Sequence, residues 1–176
     1  MDQQIDTKAS WTALHEEKQK SLTRPGTSDR EIIGRYDGMG FLNALMSGDL
    51  PYPPILKTLN FALLEAEPGR ALVQGLPLFD HYNPLGSVHG GWYCTVLDTA
   101  LGCAVHSTLP KGKGYTTLEL KVNMIRPLTG NTGPVRAEGR IIHSGNQTAI
   151  AEATLFDCNG KLYASATTTC LIFDIT

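Results

Sequence analysis

One acidic residue stands inside the most apolar stretch of the chain. Between Asp80 and Lys111, Asp98 is the only Asp, Glu, Lys or Arg, and most of its neighbours are apolar. About fifteen residues without a proline suit a helix better than a strand, and a helix that is apolar nearly all round is usually buried. A carboxylate in such a helix is costly unless it is hydrogen-bonded or paired. Asp98 is therefore the first candidate for chemistry, either as general base on a water molecule or as nucleophile.

The residues just ahead of this stretch, His89-Gly90-Gly91, are predicted to begin the helix. The first backbone N–H groups of a helix have no partner inside it, so they can receive a negatively charged or polarised oxygen. Gly90 has no side chain to block that approach and is the candidate oxyanion donor. The alternative is a glycine pair kept only for a tight turn into the helix. Together with Asp98, these amides suggest hydrolysis at a carbonyl.

Composition limits the classes of function. The 176 residues are most simply one domain. A net charge of −2 gives no reason to expect nucleic acid or an anionic membrane as a partner. The N-terminus lacks the apolar core of a signal peptide, and the four cysteines lack metal-ligand spacing. We expect a cytoplasmic protein without a bound metal.

The pattern of apolar residues predicts one central helix among about six strands. The predicted strands span residues 59–66, 70–76, 115–125, 135–142, 148–156 and 162–173. One helix can be buried among six strands only if an antiparallel sheet curls around it, which is an α+β fold. Such a sheet leaves edges, so pairing into a dimer is expected.

Two further predictions concern the division of the chain and the strand 115–125. Residues 1–30 read as an N-terminal extension, helical or mobile, and residues 31–176 as the main domain, with a short amphipathic helix near 41–46. Simple alternation in the strand 115–125 places Leu118 and Leu120 on one face of the sheet and Thr117 on the other.

Three segments together resemble a known family. They are Asn83-Pro-Leu-Gly-Ser-Val-His-Gly-Gly91, Leu97-Asp-Thr-Ala100 and the strand from Thr117 to Arg126-Pro127. In these residues the chain is similar to a hotdog-fold thioesterase of the PaaI, or phenylacetate-pathway, type. The resemblance implies a sheet of about six strands wrapped around one long central helix. It also implies an acyl-CoA substrate, no cofactor other than the coenzyme A of that substrate, and a homodimer that pairs into a dimer of dimers.

The resemblance also implies roles for the candidate catalytic residues. Asp98 matches the catalytic acid, and Asn83 matches the amide that polarises the same carbonyl as Gly90. Thr117 matches a residue that helps to hold the water. For each of these residues, the sequence itself also allows an interpretation without a catalytic role. Asn83 before Pro84 is a common turn, Thr117 could be an ordinary strand threonine, and Asp98 could be bonded to a strand for packing.

The predicted substrate-binding residues are His89, Gly91, Trp92, Arg126 and Asn146. In the family, the histidine shapes the entrance to the thioester site. Arg126 is a candidate for the coenzyme A phosphates. Asn146 stands where relatives often have arginine, which puts one expected phosphate contact in doubt.

These residues predict an acyl-CoA thioesterase that releases a carboxylic acid and free coenzyme A. Trp92 and apolar side chains from residues 41–46 and 77–88 would line a pocket for an aromatic or medium-chain acyl group. The alternatives are a hotdog hydratase or dehydratase, and a non-catalytic acyl-CoA sensor.

Overall fold

The structure is a computed structural model that describes residues 7–175. The first six residues of the expected N-terminal extension lie outside the described part. The helices are α1 (Lys8–Ser21), α2 (Arg30–Gly34), α3 (Gly38–Ser47), α4 (Ile55–Thr58) and α5 (Gly90–His106). The strands are β1 (Phe61–Glu67), β2 (Arg70–Gly75), β3 (Lys113–Met124), β4 (Val135–Ser144), β5 (Thr148–Asp157) and β6 (Leu162–Asp174).

The six strands form one antiparallel sheet in the order β1-β2-β4-β5-β6-β3. Helix α5 lies on one face of this sheet and contacts every strand. Val96, Leu97 and Leu101 of the helix are fully buried, as are Val73 and Leu155 of the sheet. The predicted α+β architecture, with a six-stranded sheet around one long helix, is confirmed.

The short helices were not predicted, apart from α3. Helices α2 and α4 have five and four residues, which is too short for a helical period to be recognisable in the sequence. A 3-10 turn at Phe79–His81 is shorter still. Helices α2 and α3 both begin at an aspartate, Asp29 and Asp37, whose carboxylate accepts a backbone N–H of the first turn.

Strand β3 contains a bulge that the alternating pattern did not predict. Thr117 pairs with Cys170 and Glu119 pairs with Thr169, so Leu118 is the extra residue. Leu118 is 58% exposed. The prediction that Thr117 and Leu120 lie on opposite faces is therefore wrong, because the bulge turns both toward α5.

Helix α5 is not buried on all sides, contrary to the expectation from its composition. Cys94, Thr95, Asp98 and Thr99 are only half-buried. These side chains form a stripe that the sheet does not cover, because a single sheet wraps around only part of a helix. Within residues 7–175, no helix is both long enough and apolar enough to cross a membrane.

Helix α1 packs on the outer face of the sheet, opposite α5. Trp11 is 3% exposed, and its ring meets Phe156 edge to face at 6.2 Å. The Arg136 guanidinium lies 3.8 Å from the Trp11 ring centre, and Gln74 donates a hydrogen bond to the Trp11 carbonyl at 2.8 Å. The division of the chain at residue 30 stays a prediction.

We expect Trp11→Ala to lower the free energy of unfolding by about 3 kcal/mol, because it removes a large buried side chain from the sheet surface. Urea unfolding followed by circular dichroism measures the change. Glu17→Ala, on an exposed position of the same helix, serves as control and should stay within about 0.5 kcal/mol. Equal midpoints for the two variants would contradict the docking of α1.

Candidate active site

Asp98 is held by a hydrogen bond from the bulged strand. The Thr117 hydroxyl donates to Oδ1 of Asp98 at 3.0 Å. Because the bulge at Leu118 turns Thr117 toward α5, the hydrogen bond depends on one extra residue in β3. The second carboxylate oxygen has no hydrogen bond from the described residues. The structure therefore brings together the predicted acid and the predicted threonine.

A cleft of about 470 Å³ lies over the uncovered stripe of α5. Asp98, Thr99, Cys103 and His106 form its floor. Apolar side chains from the N-terminal helices and the loop before α4 form one wall, and the start of β3 and the chain end after β6 form the other. The apolar lining consists of Ile33, Phe41, Leu42, Leu45, Pro53, Ile55, Leu56, Phe173 and Ile175. Asp98 is the only carboxylate that lines this cleft within the described chain.

Helix α3 is fixed over the cleft by a close backbone approach. The Gly38 N–H donates to the Leu109 carbonyl at 2.9 Å. A Cβ atom at Gly38 would lie 1.7 Å from the His106 carbonyl oxygen, so only glycine fits at this position. The Phe41 ring then contacts the His106 ring at 5.1 Å between centroids. Gly38 thus sets how closely the apolar wall approaches α5.

His89 is the N-cap of α5. Its Nδ1 accepts the Gly91 N–H at 2.9 Å, which uses that amide and fixes the histidine ring. The Gly90 N–H has no hydrogen-bond acceptor among residues 7–175. A Cβ atom at Gly90 would lie 2.8 Å from the terminal methyl group of Met124. The Gly90 N–H is therefore available to an oxygen, and its role as an oxyanion donor stays a prediction.

Asn83 is a turn residue in this structure. Its Oδ1 accepts the Leu85 N–H at 2.9 Å and the Ser87 N–H at 3.3 Å. Its amide nitrogen donates to the Ser87 hydroxyl at 3.1 Å. A carboxamide has two N–H donors, so one remains for another acceptor. The turn interpretation is observed, and a role toward a carbonyl stays a prediction.

A second hollow, of about 280 Å³, lies at the N-terminus of α5. Asn83, Gly90 and Arg126 line it together. Tyr93 links it to the helix, because its hydroxyl donates to the Arg126 carbonyl at 3.0 Å and accepts the Leu128 N–H at 2.5 Å. One guanidinium nitrogen of Arg126 donates to the Leu162 carbonyl, which leaves further donors for a ligand.

The two hollows are separate within one chain. Asp98 follows Gly90 by eight residues in α5, which corresponds to about 12 Å along a helix axis. No residue lines both hollows. One chain therefore does not place its own Gly90 N–H and its own Asp98 on the same carbonyl group.

Of the five predicted substrate-binding residues, only Arg126 lines one of the two hollows, and His89, Gly91, Trp92 and Asn146 line neither. Trp92 is 2% exposed and donates its indole N–H to the Leu59 carbonyl at 2.8 Å, so it is a core residue. The expectation that Trp92 lines the acyl pocket is therefore wrong, because it packs against Gly75 and His81 instead. Asn146 lies in the exposed β4–β5 turn, away from Asn83 and Gly90 of the same chain.

The prediction of which residues line the acyl pocket is also partly wrong. Leu42 and Leu45 line the Asp98 cleft, and Met46 lines a small apolar cavity beside it. The loop 77–88 does not reach this cleft, and Phe79 is 82% exposed. The wall comes instead from α2, α3 and the segment around α4, which the sequence pattern did not connect with the site.

Burial makes the other polar groups of the cleft poor bases and nucleophiles. Burial, together with the nearby Asp98 carboxylate, raises the pKa of the Cys103 thiol to about 12. Burial followed by the charges of neighbouring groups raises the pKa of Tyr115 well above its usual range. Burial lowers the pKa of His106 to about 4. At neutral pH the thiol and the phenol are therefore protonated, and the imidazole is uncharged.

The lowered pKa of His106 predicts acid sensitivity. The unfolded chain binds more protons than the folded chain between the folded pKa near 4 and the usual value of 6.5. Stability is thus complete above 6.5 and is lost as pH falls through this window. Thermal unfolding at several pH values should show a shallower loss for His106→Phe than for the wild type.

Burial also lowers the pKa values of His15 and His81. The loss of stability with falling pH should therefore become shallower in the His106→Phe variant but should not vanish. His143→Phe, at an exposed position, is the control and should keep the wild-type slope. An unchanged slope in the His106 variant would contradict its burial as a neutral ring.

Known proteins are similar to this chain in sequence and in structure. The thioesterase superfamily matches residues 85–164. A protein of Saccharolobus solfataricus named "Putative esterase" is 32% identical over 113 residues, which cover 64% of this chain and 78% of that protein.

Two solved structures carry the comparison further. One, from Ralstonia eutropha, is described as a "putative thioesterase, phenylacetic acid degradation-related protein". It superposes with a TM-score of 0.68 at 27% identity, over 74% of this chain and 98% of its own. The other, from Streptococcus mutans, is bound to acetyl CoA and superposes with a TM-score of 0.59 at 25% identity, over 65% of this chain and 89% of its own.

These likenesses agree with the geometry of the site. The sheet and central helix match the hotdog fold of thioesterase structures, and the matched residues contain Gly90, Asp98 and Thr117. With a relative that is 32% identical over 78% of its length, the family is established. This chain is a hydrolase of the thioesterase superfamily.

Proposed function

We propose that the protein is an acyl-CoA thioesterase of the PaaI type that acts on aromatic or medium-chain acyl groups. The observation that carries the proposal is the Thr117–Asp98 hydrogen bond of 3.0 Å, which holds the acid at the floor of an apolar cleft. Hydrolysis of a thioester also needs a hydrogen-bond donor for the carbonyl oxygen, and the free Gly90 N–H at the start of the same helix supplies it.

The proposed reaction needs only water besides the substrate. The thioester oxygen accepts the Gly90 N–H, and Asp98 takes a proton from the water that attacks the carbonyl carbon. The tetrahedral intermediate then breaks its carbon–sulfur bond, and the departing thiolate of coenzyme A receives the proton from Asp98. In the alternative route, Asp98 attacks the carbonyl itself and water hydrolyses the resulting anhydride.

We propose that each site is shared between two subunits. Strand β3 ends the sheet, so among residues 7–175 its outer edge has no partner strand over twelve residues, whereas β1 at the other edge contacts α1, α3 and α4. An unpaired edge of that length favours pairing with a second copy. Antiparallel pairing centred between Leu120 and Lys121 places Thr117 of one strand opposite Met124 of the other. Gly90 of the second copy, which lies against its own Met124, then approaches Asp98.

The hollow at the start of α5 suits the coenzyme A part of the substrate. Arg126 offers a guanidinium there, and phosphates pair well with this group. The Streptococcus mutans relative that binds acetyl CoA supports this ligand class. The acyl group would enter the Asp98 cleft, where Phe41 presents a ring face to an aromatic or medium-length chain.

The geometry favours hydrolysis over the alternatives. A hydratase requires an acid and a histidine on neighbouring carbons of the substrate, but His89 is committed to the Gly91 N–H, and His106 lies eight residues beyond Asp98, about 12 Å along the axis. A pure acyl-CoA sensor gains little from a carboxylate in an apolar cleft. A cytoplasmic location and assembly into a dimer of dimers remain predictions.

Asp98→Asn should lower the rate of thiol release from acyl-CoA by at least about 10²-fold, because it keeps the shape of the side chain and removes the base. The rate is measured with a thiol-reactive dye on a panel of acyl-CoAs. Asp80→Asn, at an exposed position far from the cleft, is the matched control and should keep full activity. A folded Asp98→Asn variant with wild-type rates would contradict the role of Asp98 as the base.

Mixed dimers test the shared site. Gly90→Pro removes the N–H at a position where a helix accepts proline, and its ring displaces only the flexible end of the Met124 side chain. Neither Gly90→Pro nor Asp98→Asn homodimers should be active. A dimer of one Gly90→Pro and one Asp98→Asn subunit contains one intact site, so refolding the two together should restore part of the activity. Confirmed mixed dimers without any recovery would show that both groups act within one chain.

A further inference from the structure

A small apolar cavity, of about 80 Å³, adjoins the Asp98 cleft at the β1 edge of the sheet. We call it the side cavity. Five residues line both spaces, namely Leu45, Pro53, Leu56, Thr99 and Cys103. On its other side, the side cavity is lined by Leu22 at the end of α1 and by Leu63 of β1. The two spaces are therefore neighbours, with Leu45 at their border.

The polar groups that line the side cavity leave it apolar in character. The Thr99 hydroxyl donates to the Thr95 carbonyl, and the Ser21 hydroxyl donates to the Lys18 carbonyl, each at 2.8 Å. The Cys103 thiol stays protonated, because burial and the Asp98 charge raise its pKa to about 12, and it behaves as a small apolar group. Lys18 is half-buried, and a lysine can cover apolar surface with its methylene groups while its amine reaches water. The side cavity therefore suits an apolar ligand.

The volume of the side cavity favours a chain over a ring. An apolar protein cavity that binds benzene measures about 150 Å³, whereas the side cavity measures about 80 Å³. A ring would thus remain in the Asp98 cleft, which has about 470 Å³. The methylene groups of a flexible chain are narrower and can pass Leu45. A linear aliphatic acyl group fits the two spaces together.

Hydrogen bonds hold the end of α1 against the side cavity. The Gln19 side chain donates to the Phe61 carbonyl at 2.9 Å, which ties α1 to β1. Beyond the helix, the Tyr52 N–H donates to the Arg24 carbonyl and the Gly26 N–H donates to the Tyr52 carbonyl, each at 3.0 Å. A ligand that pushed this wall outward would have to break these bonds, so the wall can limit the length of the ligand.

A third space lies behind the wall. It is a hollow of about 50 Å³ near the ends of α1 and α3. Leu22, Met46 and Tyr52 line both this hollow and the side cavity. These side chains therefore separate the two, and shortening one of them would let a chain continue from the side cavity into the hollow.

We propose that the side cavity binds the end of a linear aliphatic acyl chain and that Leu22 sets the greatest chain length that the protein accepts. This inference rests on the proposed thioesterase function and names the substrate class within it, linear medium-chain rather than aromatic acyl-CoA. The superfamily match begins at residue 85, so the wall at α1 lies outside the matched part of the chain. Helix α1 thereby acquires a role in substrate selection.

The test measures kcat/KM for even-numbered linear acyl-CoAs from butanoyl-CoA to hexadecanoyl-CoA, with phenylacetyl-CoA alongside. Wild-type kcat/KM should rise by about 4-fold for each methylene group that enters the side cavity and should fall once the chain meets Leu22. Leu22→Ala should move the optimum to a longer chain, and should raise kcat/KM for that chain by about 10-fold. Leu63→Phe fills the side cavity and should move the optimum to a shorter chain. Neither change should alter kcat/KM for phenylacetyl-CoA.

Leu14→Ala is the matched control, because it makes the same substitution on the same helix at a half-buried position that lines none of the three spaces. It should keep the wild-type optimum. An optimum that moves in neither the Leu22 nor the Leu63 variant would overturn the proposal, as would an equal shift in Leu14→Ala and Leu22→Ala. A wild-type preference for phenylacetyl-CoA over every linear acyl-CoA would also overturn it.

Binding separates this proposal from the proposed function. Calorimetry with the Asp98→Asn protein measures the affinity for the same acyl-CoAs without turnover. Affinity optima that move in opposite directions in the Asp98→Asn/Leu22→Ala and Asp98→Asn/Leu63→Phe variants would support the side cavity even if the wild type released no thiol. Thiol release with an optimum that neither substitution moves would overturn the side cavity and leave the thioesterase function standing.

Discussion

The structure depends on how much of one apolar helix a single sheet can cover. Six antiparallel strands contact α5, yet its Cys94, Thr95, Asp98 and Thr99 stripe stays half-buried. The remaining apolar surface must be covered by something else. In this chain the cover is the segment from α2 to α4, and between that cover and the helix lies the cleft that contains the acid.

The same helix also separates the two chemical groups that a thioester needs. The free amide is at its first residue, Gly90, because only the first turn has unpaired N–H groups. The acid is two turns further on, where the neighbouring strand can support it with Thr117. A straight helix does not bring these positions together, and this separation is the reason for proposing a site shared with a second subunit.

The segment from α2 to α4 forms one wall of the Asp98 cleft. The superfamily match covers residues 85–164 and therefore includes the sheet-facing helix and Asp98 but not α2, α3 or α4. Those helices supply most of the apolar wall, and Gly38 sets their distance from α5. A cleft assembled from a family scaffold and an added wall can differ in selectivity from other clefts on the same scaffold.

Local patterns in the sequence were sufficient for the elements and for part of the site. The alternating patterns and the apolar run around Asp98 predicted the six strands and the central helix to within a few residues, because side-chain period depends on neighbouring residues. The motif residues Gly90, Asp98 and Thr117 were recognised in the same way. Trp92 was misplaced, since an aromatic residue beside a site motif looks the same in sequence whether it packs in the core or lines a pocket.

Only the tertiary structure decided which side chains meet. The bulge at Leu118 brings Thr117 to Asp98, and a bulge has no reliable signal in an alternating strand. His106, Tyr115 and the wall from α3 come together through contacts between residues far apart in the chain. The sequence alone determined the fold class and singled out Asp98 as the candidate acid, because these follow from local pattern and motif. The shape of the cleft depended on long-range packing, which no local pattern records.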